Sequence, residues 1–224
     1  MKTLRTRAIV LRRTNYGEAD RILQLITPEG RRAVMAKGVR REKSRLAGGI
    51  ELFAVCDVVI GEGKGDLGVL TSARLIQFYG HIMEDYDRIQ FAYTTIKLVS
   101  KASDQVDEPE WYDVLAEVLM GLDAHSIDLQ LVQTWFYLRY AGLMGHEMSL
   151  YHDTSGEKLV VDVSYRYDET DQGLRQVSGG EITAAHIKFL RLVATKPLKA
   201  LAQIGGLGDV LTDCLMVARQ HAAA

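Results

Sequence analysis

The residues best able to do chemistry lie between Arg31 and Arg45. Seven of these fifteen are basic (Arg31, Arg32, Lys37, Arg40, Arg41, Lys43 and Arg45) and only Glu42 is acidic, with Gly38 and Ser44 among them. A segment of this kind presents guanidinium and ammonium groups to successive phosphates. Each neutralised phosphate releases condensed counterions, which drives binding without reading base sequence. Arginine adds a planar fork that grips phosphate through two parallel hydrogen bonds. The chemistry implied is electrostatic capture of a polyanion, with no bond made or broken.

Other constellations point to no reaction. Gly61-Glu62-Gly63-Lys64-Gly65 lacks the Walker spacing, since Val58 and Gly65 stand where that motif needs Gly and Ser or Thr, and it reads as a hairpin turn. His146-Glu147 begins like a zinc-protease motif but has no second histidine in register. The six histidines show no metal spacing, and Cys56 and Cys214 form no CxxC pair. The acidic runs Glu84–Asp87 and Asp104–Glu110 fit helix ends and exposed loops better than catalytic carboxylates. No catalytic residue, metal or cofactor is expected. Stacking on bases has thin support: Tyr16 sits in a turn, and Phe53 reads as core.

The charge distribution sharpens this. Net charge is −2, yet residues 1–80 hold 15 Lys and Arg against 8 Asp and Glu, leaving 12 and 21 for the rest. A basic head on an acidic body points to a polyanion partner for the head, the alternative being mutual attraction of the two halves. Two isolated cysteines fit a reducing compartment, no apolar run reaches the roughly 18 residues of a membrane span, and the N-terminus does not read as a signal peptide. A cytoplasmic location is expected.

The elements that must position the basic segment read as strands up to about residue 75. Ala8–Leu11, Arg21–Thr27, Arg31–Lys37, Gly49–Ile60 and Leu67–Leu75 form five, separated by turns at Thr14–Glu18, Pro28–Gly30 and Gly61–Asp66. This pattern suits a small closed barrel of the OB type, and an SH3-like barrel equally. Beyond it the period becomes helical over 86–102, 110–122, 126–144, 183–195 and 207–220. Ser126 is read as the cap of the third helix and Gly145 as its end. Trp111, Trp135, Phe136, Tyr137 and Tyr140 fall at core spacing. Lys158–Tyr167 interrupts the helices as a hairpin. The expected architecture is α+β: a β-domain over 1–78, then a helical bundle over 79–224 with a β-hairpin insertion at about 150–180.

Taken together, Leu11-Arg12, Tyr16-Gly17-Glu18-x-Asp20-Arg21-Ile22-Leu23-x-Leu25-x-Thr27, Ala36-Lys37-Gly38-x-Arg40-Arg41-x-Lys43-Ser44-Arg45 and Gly63-Lys64-Gly65-Asp66-Leu67 resemble the N-terminal signature of the bacterial RecO family of DNA repair proteins, in order and spacing over about 75 residues. The resemblance implies an OB fold followed by a helical domain. It also implies non-specific binding of single- and double-stranded DNA, annealing of complementary strands, and a nucleoid-associated role. The implied partners are RecR, often RecF, and the single-stranded-DNA-binding protein, in loading RecA. It places DNA-binding roles on Arg12, Arg21, Lys37, Arg40, Arg41, Lys43 and Arg45, while Arg31 and Arg32 rest on charge alone. Two departures stand out. Many relatives carry a four-cysteine zinc module near the positions of 145–182, where this chain has no cysteine, so zinc is expected to be absent and the hairpin to stand in for it. Leu52 lies where relatives often have proline, which bears on local strand geometry. An RNA-binding barrel protein, or an adaptor using its basic loop on an acidic protein, are the rival readings.

Overall fold

The computed structural model describes residues 3–65 and 67–223, with Lys64 described by its backbone alone. Asp66, in the turn expected over Gly61–Asp66, lies outside the described residues. The chain divides into two compact units, residues 1–123 and 124–224.

The first unit is built on five strands: β1 (Thr3–Tyr16), β2 (Asp20–Thr27), β3 (Gly30–Ala36), β4 (Ala54–Lys64) and β5 (Leu67–Phe78). They close in the order β1-β2-β3-β5-β4, with β4 returning to β1. All pairings are antiparallel except β3 with β5. This order is that of the OB barrel, which decides between the two barrels the sequence allowed. Alternation along the strands sends Ala8, Val10, Leu23, Leu25, Val34, Cys56, Val58 and Ile60 inward, where all are buried. Each fully buried Val, Leu or Ile among them contributes roughly 1.5–3 kcal/mol.

The expected fourth strand begins five residues too early. Ala47–Gly49 is a 3-10 turn and β4 starts only at Ala54. The segment between is apolar for another reason: Val39 and Ile50, both in the connection from β3 to β4, are buried in the barrel core. Phe53 ends that connection at φ 57, in the left-handed region, and its ring meets Tyr93 edge-on at 5.1 Å. β4 also runs on to Lys64, which leaves Gly65 as the one described residue of the expected turn outside a strand.

Helices α1 (Tyr86–Ala102) and α2 (Glu110–Asp123) follow. They belong to the same unit as the barrel, not to that of the later helices. Asp85 caps α1 by accepting from the Arg88 amide, and the buried Arg88 guanidinium donates to the Gly121 and Leu122 carbonyls at 3.4 and 2.9 Å. The two helices cover part of the barrel wall, where Ile9 and Ile26, opposite one another on β1 and β2 and outside the inner core, are fully buried.

The second unit holds α3 (Leu129–Leu143), α4 (Ala184–Thr195), the short α5 (Leu198–Leu201), α6 (Gly208–Ala223), and a two-stranded sheet of β6 (Tyr165–Asp168) and β7 (Gly173–Gln176). α3 starts three residues later than expected, because Asp128, not Ser126, caps it by accepting from the Gln130 amide at 2.7 Å. It buries Leu131, Val132, Trp135, Phe136 and Leu138. Tyr137 and Tyr140 are half-buried, and Trp111 is buried in the first unit. The hairpin is real but displaced towards the C-terminus. Val160 and Val161, inside the expected Lys158–Tyr167 strand, are 50% and 63% exposed and have no face to bury. Lys158 makes only an isolated bridge to His152, the ladder begins at Tyr165, and the turn after it is closed by Asp168, whose carboxylate accepts from the amides of Thr170 and Asp171.

A candidate nucleic-acid interface

The basic cluster sits where the β1–β2 turn meets the long connection from β3 to β4. Gly38 takes φ 63, a conformation that glycine adopts without steric cost. Its amide donates to the Asp20 carboxylate at 2.7 Å. Two residues on, the Arg40 amide donates to the Ala19 carbonyl at 2.9 Å, and the Arg40 guanidinium reaches the Gly17 carbonyl at 3.2 Å. Tight turns then continue the path, with the Arg41 amide on the Gly38 carbonyl and the Ser44 amide on the Arg41 carbonyl. At the far end Gly49 lies against the Ala73 backbone so closely that a Cβ there would sit 2.5 Å from it. The connection is therefore held at both ends and plugged into the core by Val39 and Ile50.

On this frame Lys37, Arg40, Arg41, Lys43 and Arg45 are all exposed, against the single exposed acid Glu42. Arg12 is exposed on β1, opposite Gln24. Arg21 is half-buried at the start of β2 and donates to the Asn15 side chain at 3.1 Å. Tyr16, 55% exposed, closes β1 opposite Asp20. Arg13 is engaged elsewhere, paired with Glu51 at 3.3 Å.

The remaining two arginines of the run have other work. Arg31 forms an ion pair with Asp104, donates to the Ser100 carbonyl and to Gln24, and keeps its side chain only 19% exposed. Arg32 folds back on the carbonyls of Arg31 and Glu29. One basic run thus splits into an exposed group of five and a pair that holds the β2–β3 end of the barrel together. Asp20 is a positioning residue that the RecO-like motif contains but to which the sequence assigns no role. Its place before a strand and eighteen residues ahead of a glycine carries no signal by itself.

Nothing in this arrangement resembles a redox or metal centre. The Cys56 and Cys214 thiols are buried, and burial pushes them up to about 11 and about 12. Among the described residues, no three His, Cys, Asp or Glu side chains are placed together to hold a metal. The 145–182 region does not fit a zinc module: its turns close through carboxylates. Asp153 accepts from the Ser155 hydroxyl and amide and from the Glu157 amide, and Asp168 closes its own turn in the same way. No helix among the described residues is long and apolar enough to cross a membrane.

The first unit is an OB-type barrel that carries an exposed, anchored basic connection between β3 and β4. Comparison with known proteins is narrower. Residues 1–79 match the family model described as the N-terminal part of recombination protein O, and residues 83–215 match that for its C-terminal part. A DNA repair protein RecO of Dehalococcoides mccartyi is 30% identical over 225 residues, covering 97% of this chain and 88% of that one. One of Roseiflexus is 28% identical over 212 residues, 91% of this chain and 74% of its own. One of Bifidobacterium longum is 34% identical over 149 residues, 65% and 62% respectively. The chain belongs to the RecO family of DNA repair proteins.

Proposed function

We propose that this chain is a non-enzymatic recombination mediator that binds single- and double-stranded DNA through the exposed basic connection and anneals complementary strands. The observation that carries this reading is the sorting of the basic run: five cations are left exposed on a connection fixed by Asp20, Gly38 and Gly49. Arg12 and Arg21 flank it on the barrel wall. The contacts are to phosphate, so strand sequence goes largely unread. Annealing follows from charge neutralisation, because two strands repel until their phosphates are screened. Tyr16, exposed beside Arg21 and Asn15, gives one base a surface on which to stack. In this reading the protein works in the cytoplasm with RecR, often RecF, and the single-stranded-DNA-binding protein to load RecA.

Fluorescence anisotropy of a labelled mixed-sequence oligonucleotide, titrated at several salt concentrations, tests it. Tight binding that falls steeply with salt is expected. No binding at low salt removes the DNA role. A matched RNA that competes better than DNA moves the chain to RNA work.

A further inference from the structure

The barrel carries a second group of exposed arginines that the basic connection does not include. The register of the sheet aligns Arg7 of β1 with Asp57 of β4 and Arg74 of β5, and in the next row Arg5 with Val59 and Ser72. Arg5, Arg7 and Arg74 are all exposed. Among the described residues the side chains of Arg5 and Arg7 have no hydrogen-bond or ion-pair partner, while Arg74 pairs with Asp57 at 3.0 Å. Residues two apart on a strand point the same way about 7 Å apart. Arg5 and Arg7 therefore offer two cations in step with neighbouring phosphates of an extended strand.

This strip is separate from the basic connection. Arg7, the nearer member of the strip, and Arg12 are five residues apart on β1, roughly 17 Å along a strand. Ile9 and Leu11 lie between them, both buried, and α1 and α2 both pack against β1. The two basic faces are thus divided by a covered apolar patch and do not form one groove. At physiological salt the Debye length is about 8 Å, so strands held this far apart are largely screened from each other.

We propose that the Arg5–Arg7–Arg74 strip is a second phosphate track, which holds a second nucleic-acid strand while the basic connection holds the first. The inference rests on the DNA-binding reading above. Annealing then gains from proximity: two strands on one barrel meet at the high effective concentration of a tethered pair. Asp57 sets the strength of the track, since it stands between Arg7 and Arg74 in the register, holds Arg74 at 3.0 Å, and opposes a phosphate there.

The test uses the full chain and two non-complementary single-stranded oligonucleotides, one carrying a donor dye and one an acceptor, so that energy transfer reports both strands on one protein without annealing. The wild type is expected to give transfer at one protein per strand pair. Arg5→Ala with Arg7→Ala should lose transfer at the protein concentration that saturates the wild type, leave first-strand affinity within about twofold, and lower the salt slope of the weaker capture left at higher concentration by about 1.4. Asp57→Asn should strengthen second-strand capture, a gain that misfolding does not produce. A wild type that saturates with one strand, or an Asp57→Asn variant with unchanged capture, overturns the second track alone. Failure to bind any strand overturns the DNA reading with it.

Discussion

The Asp20 carboxylate accepts the Gly38 amide at 2.7 Å, joining the start of β2 to the connection that carries Lys37, Arg40, Arg41, Lys43 and Arg45. An acid at the base of a cationic cluster is unfavourable to phosphate by charge and favourable by geometry. The two effects predict opposite results for Asp20→Ala. Loss of a negative charge alone would tighten DNA binding. Loss of the anchor releases Gly38 and the residues after it, so each phosphate must then be gripped from a mobile chain. A hydrogen bond to a charged group contributes about 1.5–3 kcal/mol, and a loss in that range is expected in chemical denaturation. DNA affinity should fall despite the more positive surface. Denaturation midpoints and anisotropy on the same variant check both halves.

Arg31 and Arg41 lie in one basic run yet are expected to separate in experiment. Arg40→Ala with Arg41→Ala should leave the melting temperature nearly unchanged and lower the single-strand salt slope by about 1.4, at about 0.7 for each phosphate no longer neutralised. Arg31→Ala should do the reverse. It leaves Asp104 and the Ser100 carbonyl without their cation and destabilises the first unit, with the salt slope unaltered. A salt slope that shifts equally in both variants would show that the run acts as one undivided charge.

That contrast marks the limit of what sequence patterning shows here. The strands β2 and β3 and the helices α1 and α2 are readable because alternation and helical period are local properties. So is the exposed set from Lys37 to Arg45, which the RecO-like motif brackets. The fate of Arg31 is not, because its partner carbonyl is Ser100, 69 positions away. Gly49–Phe53 reads wrongly as strand for a related reason. Ile50 is apolar because it is buried in the barrel core from a loop, and burial without strand pairing leaves the same composition. At the hairpin, Lys158–Tyr167 alternates like a strand, but the pairing partner and the Asp168 turn that decide its position lie beyond it.

Gly49 should be the least replaceable residue of the basic connection. A Cβ there would meet the Ala73 carbonyl carbon and oxygen at 2.5 Å, and a strand backbone paired to β4 cannot move aside cheaply. Overpacking of this kind costs about 1–3 kcal/mol, or forces the 3-10 turn off β5. Gly49→Ala should lower the denaturation midpoint and, by displacing the connection, weaken DNA binding. Gly48→Ala, with nothing within 4 Å of its Cβ, is the matched control and should stay within about 0.5 kcal/mol of the parent.

His221 should make the second unit sensitive to mild acid. Its Nε2 lies 2.7 Å from the His146 carbonyl, which only accepts, so Nε2 carries the proton. Nδ1, 2.9 Å from the Tyr167 hydroxyl, is then the acceptor for that O–H. Tyr167 is pushed up to about 12 by burial and by Glu169 and Asp168, so it keeps its proton throughout. Burial lowers His221 below its ordinary value of 6.5. The unfolded chain therefore takes up a proton that the folded chain resists. The stabilisation from neutral His221 is complete above about 6.5 and is lost as the pH falls through the lower folded value. Asp153 and Asp168, both lowered by hydrogen bonds to their carboxylates, lose their contributions only below the ordinary carboxylate value of 3.8. Thermal melts from pH 7.5 to 5 should show a falling midpoint in the parent. His221→Gln should be less stable at neutral pH, having lost the fit to Tyr167 and the His146 carbonyl, but flatter across that window. An equally steep fall in the variant would assign the acid sensitivity to another group.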